Sequence, residues 1–245
     1  MTGKAACGAF VGRSLMVAYR QMKAMHNSVW YQRFGQFGLL TSLISAFILP
    51  PFFGSSTFLL HLLVMLSLTF VLLSVLPFKR QFLLLAPMVF IELFATANLT
   101  INDSADALIL FYAVSGIFFG TLVLLFVLQL FSPSRVDGNL LLASINTYFA
   151  LGVTFAMVFG LIDHMVPGSF SISISSDDTP NSTEFMYFSL VTLSTLGYGD
   201  VLPVSDQART LAAIEALAGQ VYLTIAVARL VGMHVSSSES SRGDR

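Results

Sequence analysis

Long apolar runs alternate with short polar breaks along most of the chain. A helix that crosses the hydrocarbon layer of a bilayer, about 30 Å thick, needs about 20 mostly apolar residues, because its backbone groups must bond within the segment. Six stretches meet this requirement, the last in spite of Glu215 and Arg229. They are residues 36–54, 57–77, 82–99, 106–131, 140–165 and 208–234. The pattern therefore predicts an all-α membrane protein with six transmembrane helices and both termini on one side.

The composition indicates the same class. Hydrophobic residues make up 56% of the chain and charged residues 10%, and the mean hydropathy is +0.81, values that ordinary soluble domains do not reach. The net charge of -1 disfavours a nucleic-acid partner. No Ser/His/Asp set, phosphate loop or metal cluster occurs at a workable spacing, so we expect no catalytic residues, no bound cofactor and no enzymatic activity.

The basic residues predict the orientation in a cell membrane. Lys and Arg collect on the cytoplasmic flanks of membrane spans. If the N-terminus is inside, eleven of the twelve Lys and Arg residues lie in or near the cytoplasm, and only Arg209 lies outside. We therefore expect cytoplasmic N- and C-termini and an acidic outer rim that attracts cations.

A shorter apolar stretch, residues 184–195, lies between the fifth and sixth spans and leads into "LGYGD". Its twelve residues make a helix of about 18 Å, which enters a bilayer halfway and no further. Irregular backbone at membrane depth is tolerated only where it is buried in protein or lines a water-filled path. The pattern predicts a re-entrant pore helix followed by an aqueous pore.

The residues after this helix suit the binding of a dehydrated cation. Gly197 and Gly199 reach the left-handed backbone region at little cost, so successive carbonyl groups can point in one direction. The carbonyl oxygens from Thr195 onward, with the Thr195 hydroxyl, can then replace water around an ion. The side chains of Leu196 and Tyr198 are expected to point backwards against the helix. One strand supplies a quarter of a ring, so four chains about a fourfold axis are required.

The sequence "TLGYGD" is similar to the potassium-channel filter "TVGYGD". The stretch from Ser182 to Gly232 resembles the pore helix, filter and inner helix of bacterial potassium channels of the ion-transport-2 type. The resemblance implies a homotetramer that conducts K⁺, the permeant ion, through a filter of five residues. They are Thr195, Leu196, Gly197, Tyr198 and Gly199. Leu196 replaces the usual valine, but its carbonyl is unchanged, and selectivity is expected to survive.

Three residues are candidates for supporting this filter. Val191 stands where some family members carry a glutamate that braces the outer aspartate, so Asp200 needs another partner, for which Tyr187 is the candidate. Glu215 falls on the outer half of the last span and is expected to support the pore helix from behind.

Glu92, in the third span, is expected to meet His61. Structural bracing is favoured over proton transport for both glutamates, because an unpaired charge within a span is costly.

The fourth span contains no Lys or Arg, so we expect no voltage sensor of the arginine type. The residues that control gating must therefore lie elsewhere in the chain. The short linker "SPSRVDG" predicts that each four-helix unit packs against the pore span of its own chain. Gly219 is a candidate hinge of the inner helix, with close helix packing as the alternative. Residues that recur near helical spacing below it are candidates for lining the pore: Gln220, Leu223, Val227, Val231 and Val235.

These elements divide the chain into four regions. Residues 1–35 form a cytoplasmic arm, 36–132 a four-helix membrane domain without gating arginines, 133–235 the pore domain, and 236–245 a short cytoplasmic tail that is not expected to fold. An apolar stripe in the arm, with Arg13, Arg20 and Lys23 off it, predicts an amphipathic helix. That helix either binds anionic lipids of the inner leaflet or packs against the bundle.

Three other functions remain compatible with the sequence. A nonselective monovalent cation channel is the nearest, because an intact "GYG" does not by itself establish selectivity. A membrane sensor with a non-conducting pore is the second. An ion transporter built from pore-like repeats is the third, but such chains carry four degenerate filter segments and this one has a single complete segment.

Overall fold

The computed structural model describes residues 32–49, 52, 57–75, 79–102, 104–131, 138–172 and 182–243. These residues form seven long or medium helices and one small antiparallel sheet. The helices are α1 (residues 32–48), α2 (Thr57–Val75), α3 (Lys79–Ile101), α4 (Ala105–Phe131), α5 (Gly138–Met165), α6 (Ser182–Leu193) and α7 (Asp206–Gly243). The strands are β1 (Phe170–Ile172) and β2 (Val201–Pro203).

Four of the described helices are long and apolar enough to cross a membrane. They are Gln81–Ile101, Ala105–Phe131, Asn139–Met165 and Asp206–Gly232. The described part of α2 contributes a shorter apolar helix, Met65–Ser74. The third to fifth predicted spans correspond to α3, α4 and α5, the sixth to the first part of α7, and the first two overlap α1 and α2. The chain is thus all-helical in its main elements, as expected of a membrane protein.

Helix α4 packs along α5 of the same chain, as the short linker between them predicts. Small residues allow the two backbones to approach closely. A Cβ atom added at Gly116 would lie 3.7 Å from Met157, and one added at Gly120 would lie 3.6 Å from Thr154. Small residues at such interfaces are typical of helix pairs in membranes, where close packing replaces the hydrophobic driving force.

Buried polar contacts join α1 to α5. The Asn146 side chain on α5 donates from Nδ2 to the carbonyl oxygen of Gln36 at 2.9 Å and to its Oε1 at 2.7 Å. Both residues are fully buried. An interhelical hydrogen bond of this kind satisfies groups that lipid cannot, so the first helix is fixed against α5.

The small sheet anchors the C-terminal end of α5 to the segment that follows Asp200. Phe170 of β1 pairs with Pro203 of β2. Its ring contacts those of Phe159 at 5.5 Å, Phe185 at 5.3 Å and Phe188 at 5.4 Å, all with edge-to-face geometry. Aromatic pairs favour this arrangement. The cluster therefore ties α5, β1 and α6 together.

The two ends of the chain compare differently with the sequence-based expectations. The expectation that residues 236–245 form an unfolded tail is wrong as far as Gly243, because α7 continues to that residue. Residues 236–242 contain no Pro or Gly, and each residue added to an existing helix gains a hydrogen bond without a new nucleation cost. The basic residues of the predicted arm, Arg13, Arg20 and Lys23, lie outside the described residues.

Candidate ion pathway

Helix α6 directs its C-terminal end at the segment that the sequence analysis singled out. It spans Ser182–Leu193, two residues earlier than predicted, and Glu184 in its first turn complements the positive end of the helix dipole. One face is buried against the rest of the chain through Phe185, Phe188, Ser189, Val191 and Leu193. The partial negative charge of its last carbonyls lies next to residues 194–200, where it favours a cation.

The five residues Thr195 to Gly199, here called the TLGYG segment, have an alternating backbone. The φ angle is 58° at Thr195, 60° at Gly197 and 79° at Gly199, whereas Leu196 and Tyr198 have no positive φ. Glycine adopts positive φ at little cost, but threonine rarely does, and such strain concentrates at functional sites. The two glycines were predicted to take this conformation, and Thr195 was not.

The amide groups of this segment turn back onto α6. The N–H groups of Leu196 and Gly197 donate to the carbonyl oxygen of Val191 at 2.9 and 3.4 Å, and the Thr195 N–H donates to Thr192 at 2.9 Å. Among the described residues, none donates a hydrogen bond to a carbonyl oxygen of the TLGYG segment. Backbone carbonyls are paired almost everywhere else in folded proteins. These free oxygens, on an exposed segment, are therefore available to bind a cation.

Two side chains of the segment are largely exposed in the single chain. Leu196 is 56% exposed and Tyr198 is 67% exposed, so the single chain leaves more than half of each side chain uncovered, and their packing against α6 stays a prediction. Any packing of these two side chains must come from outside the chain.

Asp200, which follows the segment, contacts Tyr187 as the sequence suggested. The Tyr187 hydroxyl donates to Asp200 Oδ2 at 2.7 Å, and the Val201 N–H donates to Oδ1 at 3.1 Å. The hydrogen bond from Tyr187 holds the pKa of the Asp200 carboxyl below its usual range. The same bond raises the pKa of Tyr187 to about 12. The carboxylate is thus fixed at the C-terminal end of the TLGYG segment.

Glu215 lies behind α6, at the junction of three helices. Its side chain is fully buried on α7 and one carboxyl oxygen is hydrogen-bonded to the Ser189 hydroxyl of α6. The same hydroxyl lies 2.7 Å from the carbonyl oxygen of Gly152 on α5. The second carboxyl oxygen, Oε2, is buried without a partner. The structure therefore brings Glu215 against the back of α6, where the sequence analysis expected it.

Gly219 marks the closest approach of α7 to the end of α6. A Cβ atom there would lie 2.7 Å from the Leu193 carbonyl oxygen. This oxygen also accepts a hydrogen bond from the Tyr148 hydroxyl of α5 at 3.2 Å. Helix α7 runs through Gly219 without a break. The contact favours the packing interpretation of this glycine over the hinge interpretation.

The candidate pore-lining residues of α7 are exposed in the single chain. Gln220 is exposed, and Leu223, Val227 and Val231 are 39%, 59% and 57% exposed. The side chain of Val235 lies outside the described residues. The spacing of the first four places them on one face of the helix. An apolar face left open by its own chain is available to a water-filled cavity or to another subunit.

Two further contacts were missed or placed differently by the sequence analysis. Arg229 on α7 donates from Nε to the carbonyl oxygen of Leu130 and from Nη2 to that of Phe131, both at 3.4 Å, so it joins α7 to the C-terminal end of α4. Glu92 accepts a hydrogen bond from Ser115 at 2.6 Å. The side chain of His61, its expected partner, lies outside the described residues. No periodicity signals such long-range contacts.

Comparison with known proteins bears on the same region. Residues 147–235 match the family model Ion_trans_2, described as "Ion channel". The match includes most of α5, all of α6, the TLGYG segment and most of α7. Comparisons with curated proteins and with solved structures found no match. The family match supports an ion channel, a role in transport rather than catalysis, and, with the four apolar helices, a membrane protein.

Proposed function

We propose that the protein is a potassium-selective channel within the ion channel family that residues 147–235 match. Four copies surround one axis, and K⁺ passes along the carbonyl oxygens of the TLGYG segments. Each chain crosses the cell membrane six times, with α6 re-entrant and both termini in the cytoplasm. The regions 36–132 and 133–235 act as membrane scaffold and pore domain.

One observation carries the proposal: the TLGYG segment combines alternating positive φ with carbonyl oxygens that accept no hydrogen bond from the described residues. Selectivity filters for K⁺ use rings of backbone carbonyls to replace the hydration shell of the ion. The free oxygens, the negative end of α6 and the outer carboxylate of Asp200 all favour a cation along the same path.

The exposed side chains support the fourfold arrangement. Leu196 and Tyr198 are more than half exposed although they are large and apolar or aromatic. A single strand surrounds an ion on one side only, so neighbouring copies must supply the rest of the ring. We expect the same neighbours to cover these two side chains and to face the open side of α7 at Leu223 and Val227.

The channel is proposed to open without an arginine voltage sensor. Moving charge through the membrane field requires basic residues on a mobile span, and α4 contains no Lys or Arg. The arm at residues 1–35 is proposed to bind anionic lipid through Arg13, Arg20 and Lys23, which would place it on the inner leaflet.

A nonselective monovalent cation channel is the second candidate. The Tyr187–Asp200 contact that supports the TLGYG segment lies at the surface of the chain, with Tyr187 38% exposed. A filter held by an exposed contact is less rigid than one braced in the protein interior, and a loosened filter admits ions of different size. Selectivity among monovalent cations separates the two candidates.

Ion flux into vesicles tests the proposal and its variants. Purified protein in liposomes should pass K⁺, and Gly199→Ala should abolish the flux, because an L-residue at φ 79° is strained. Gly168→Ala is the matched control, since Gly168 has φ 82° but lies outside the TLGYG segment. Loss of flux in both variants would indicate general misfolding, and absence of flux in the wild type would favour a non-conducting membrane sensor.

A further inference from the structure

The hydrogen-bond network around Ser189 constrains the protonation of Glu215. Ser189 Oγ lies within hydrogen-bond distance of two oxygens, the carbonyl of Gly152 and one carboxyl oxygen of Glu215. A hydroxyl group carries one hydrogen, and a backbone carbonyl can only accept. If Ser189 donates to Gly152, the remaining proton between Ser189 and Glu215 must belong to Glu215.

We infer that Glu215 is a protonated carboxyl group that donates to Ser189 Oγ, which in turn donates to the Gly152 carbonyl, so that a directed hydrogen-bond chain joins α7, α6 and α5. The burial of the acid agrees with this arrangement. Glu215 and Ser189 are both 0% exposed, and the second oxygen of Glu215 has no partner. A buried carboxylate with an unpaired oxygen would be costly, whereas a neutral carboxyl is tolerated.

No described cation is paired with Glu215 to stabilise a carboxylate. From α5, the titratable group that faces it is Tyr148, whose hydroxyl donates to Leu193. From α6, the facing group is Ser189, while the titratable Tyr187 is bonded to Asp200. On α7 itself, the basic residue Arg229 is bonded to α4. A proton is therefore the means by which this site stays neutral.

The chain of hydrogen bonds makes Glu215 a positioning residue for the TLGYG segment. Ser189 lies two residues before Val191, whose carbonyl oxygen receives the N–H groups of Leu196 and Gly197. Loss of the proton would force Ser189 to donate to the carboxylate instead and would release the Gly152 carbonyl from α6. This consequence for conduction rests on the proposed channel function, whereas the protonation of Glu215 does not.

Infrared difference spectroscopy tests the protonation directly. The spectrum of wild type minus Glu215→Gln at neutral pH should contain the carbonyl stretch of a protonated carboxyl group, and a carboxylate band in its place would overturn the inference. If Glu215→Gln does not fold, wild type minus Ser189→Ala should show that stretch moved to higher frequency by loss of the hydrogen bond. An unmoved band would count against the Ser189 link.

Flux at alkaline pH tests the positioning role. Wild-type K⁺ flux should be lost as the pH is raised, whereas Glu215→Gln, which stays neutral and can donate from Nε2, should keep its flux over the same range. Asp206→Asn, an exposed acid in the first turn of the same helix, is the matched control and should keep the wild-type profile. Identical profiles for wild type and Glu215→Gln would refute the positioning role. A protonated-carboxyl band in a protein that passes no K⁺ would refute the channel function and leave the hydrogen-bond chain standing.

Discussion

Replacing Gly219 with alanine distinguishes close packing from hinge bending. The new Cβ atom would lie 2.7 Å from the Leu193 carbonyl oxygen and 2.8 Å from Leu193 Cδ1. The oxygen cannot simply move away, because it ends α6 and accepts the Tyr148 hydroxyl at 3.2 Å. The Leu193 side chain can rotate away from the new Cβ atom. The contact with the Leu193 carbonyl oxygen, however, can be relieved only by displacing α6 from α7.

Two terms of opposite sign decide the outcome. Overpacking of this kind costs about 1–3 kcal/mol, whereas alanine in place of glycine stabilises a helix interior by about 1 kcal/mol. The net effect is a destabilisation of up to about 2 kcal/mol. For a chain of this size, each kcal/mol lowers the melting temperature by about 2–4 °C. The displacement falls on Leu193, close to Thr195, so K⁺ flux should also decrease.

Thermal unfolding of the purified protein in detergent with K⁺ measures the first effect. Gly232→Ala is the matched control on the same helix, because a Cβ atom there meets nothing within 4 Å. It should raise the melting temperature through helix propensity alone. If Gly219→Ala raises the melting temperature as much as Gly232→Ala, the packing interpretation is refuted and the hinge interpretation is favoured.

Three further predictions concern the Tyr187–Asp200 contact and Arg229. Tyr187→Phe should weaken the support of Asp200 and shorten the time for which the channel conducts after opening, as recorded in planar bilayers; unchanged kinetics would contradict this role. The stabilisation from the Tyr187–Asp200 contact should be complete between the ordinary pKa values, 3.8 for Asp200 and 10.0 for Tyr187. It should be lost as the pH falls through the lowered pKa of Asp200. It should also be lost as the pH rises through the pKa of Tyr187, about 12. The tyrosinate absorbance of wild type minus Tyr187→Phe follows the second transition. Arg229→Gln should lower stability by about 1 kcal/mol or less and change the open probability, because it separates α7 from the end of α4; Arg229→Lys should restore only part of the effect.

Much of the membrane fold could be predicted from the sequence because its signals are local. The length of apolar runs and the polar breaks between them identified α3, α4 and α5. The two glycines of "GYG" predicted positive φ at Gly197 and Gly199, since few other residues reach that region without strain. The pairing of Tyr187 with Asp200 followed from the need of a carboxylate for a nearby donor.

Other features depend on contacts between distant residues, which periodicity does not report. The strands β1 and β2 are three residues each and are specified by the ring cluster around Phe170 rather than by strand alternation. The positive φ of Thr195 is imposed by the turn onto α6. The partner of Arg229 is the end of a helix about a hundred residues earlier in the chain. Composition predicted a disordered tail after residue 235, but continuation of an existing helix outweighed it.

The ion selectivity of the reconstituted protein tests the central claim most directly. With K⁺ on one side of a bilayer and Na⁺ on the other, carbonyl oxygens that replace the hydration shell of K⁺ should hold the reversal potential close to the K⁺ equilibrium potential. A reversal potential near zero would mean that both ions pass equally and would contradict a potassium-selective pore.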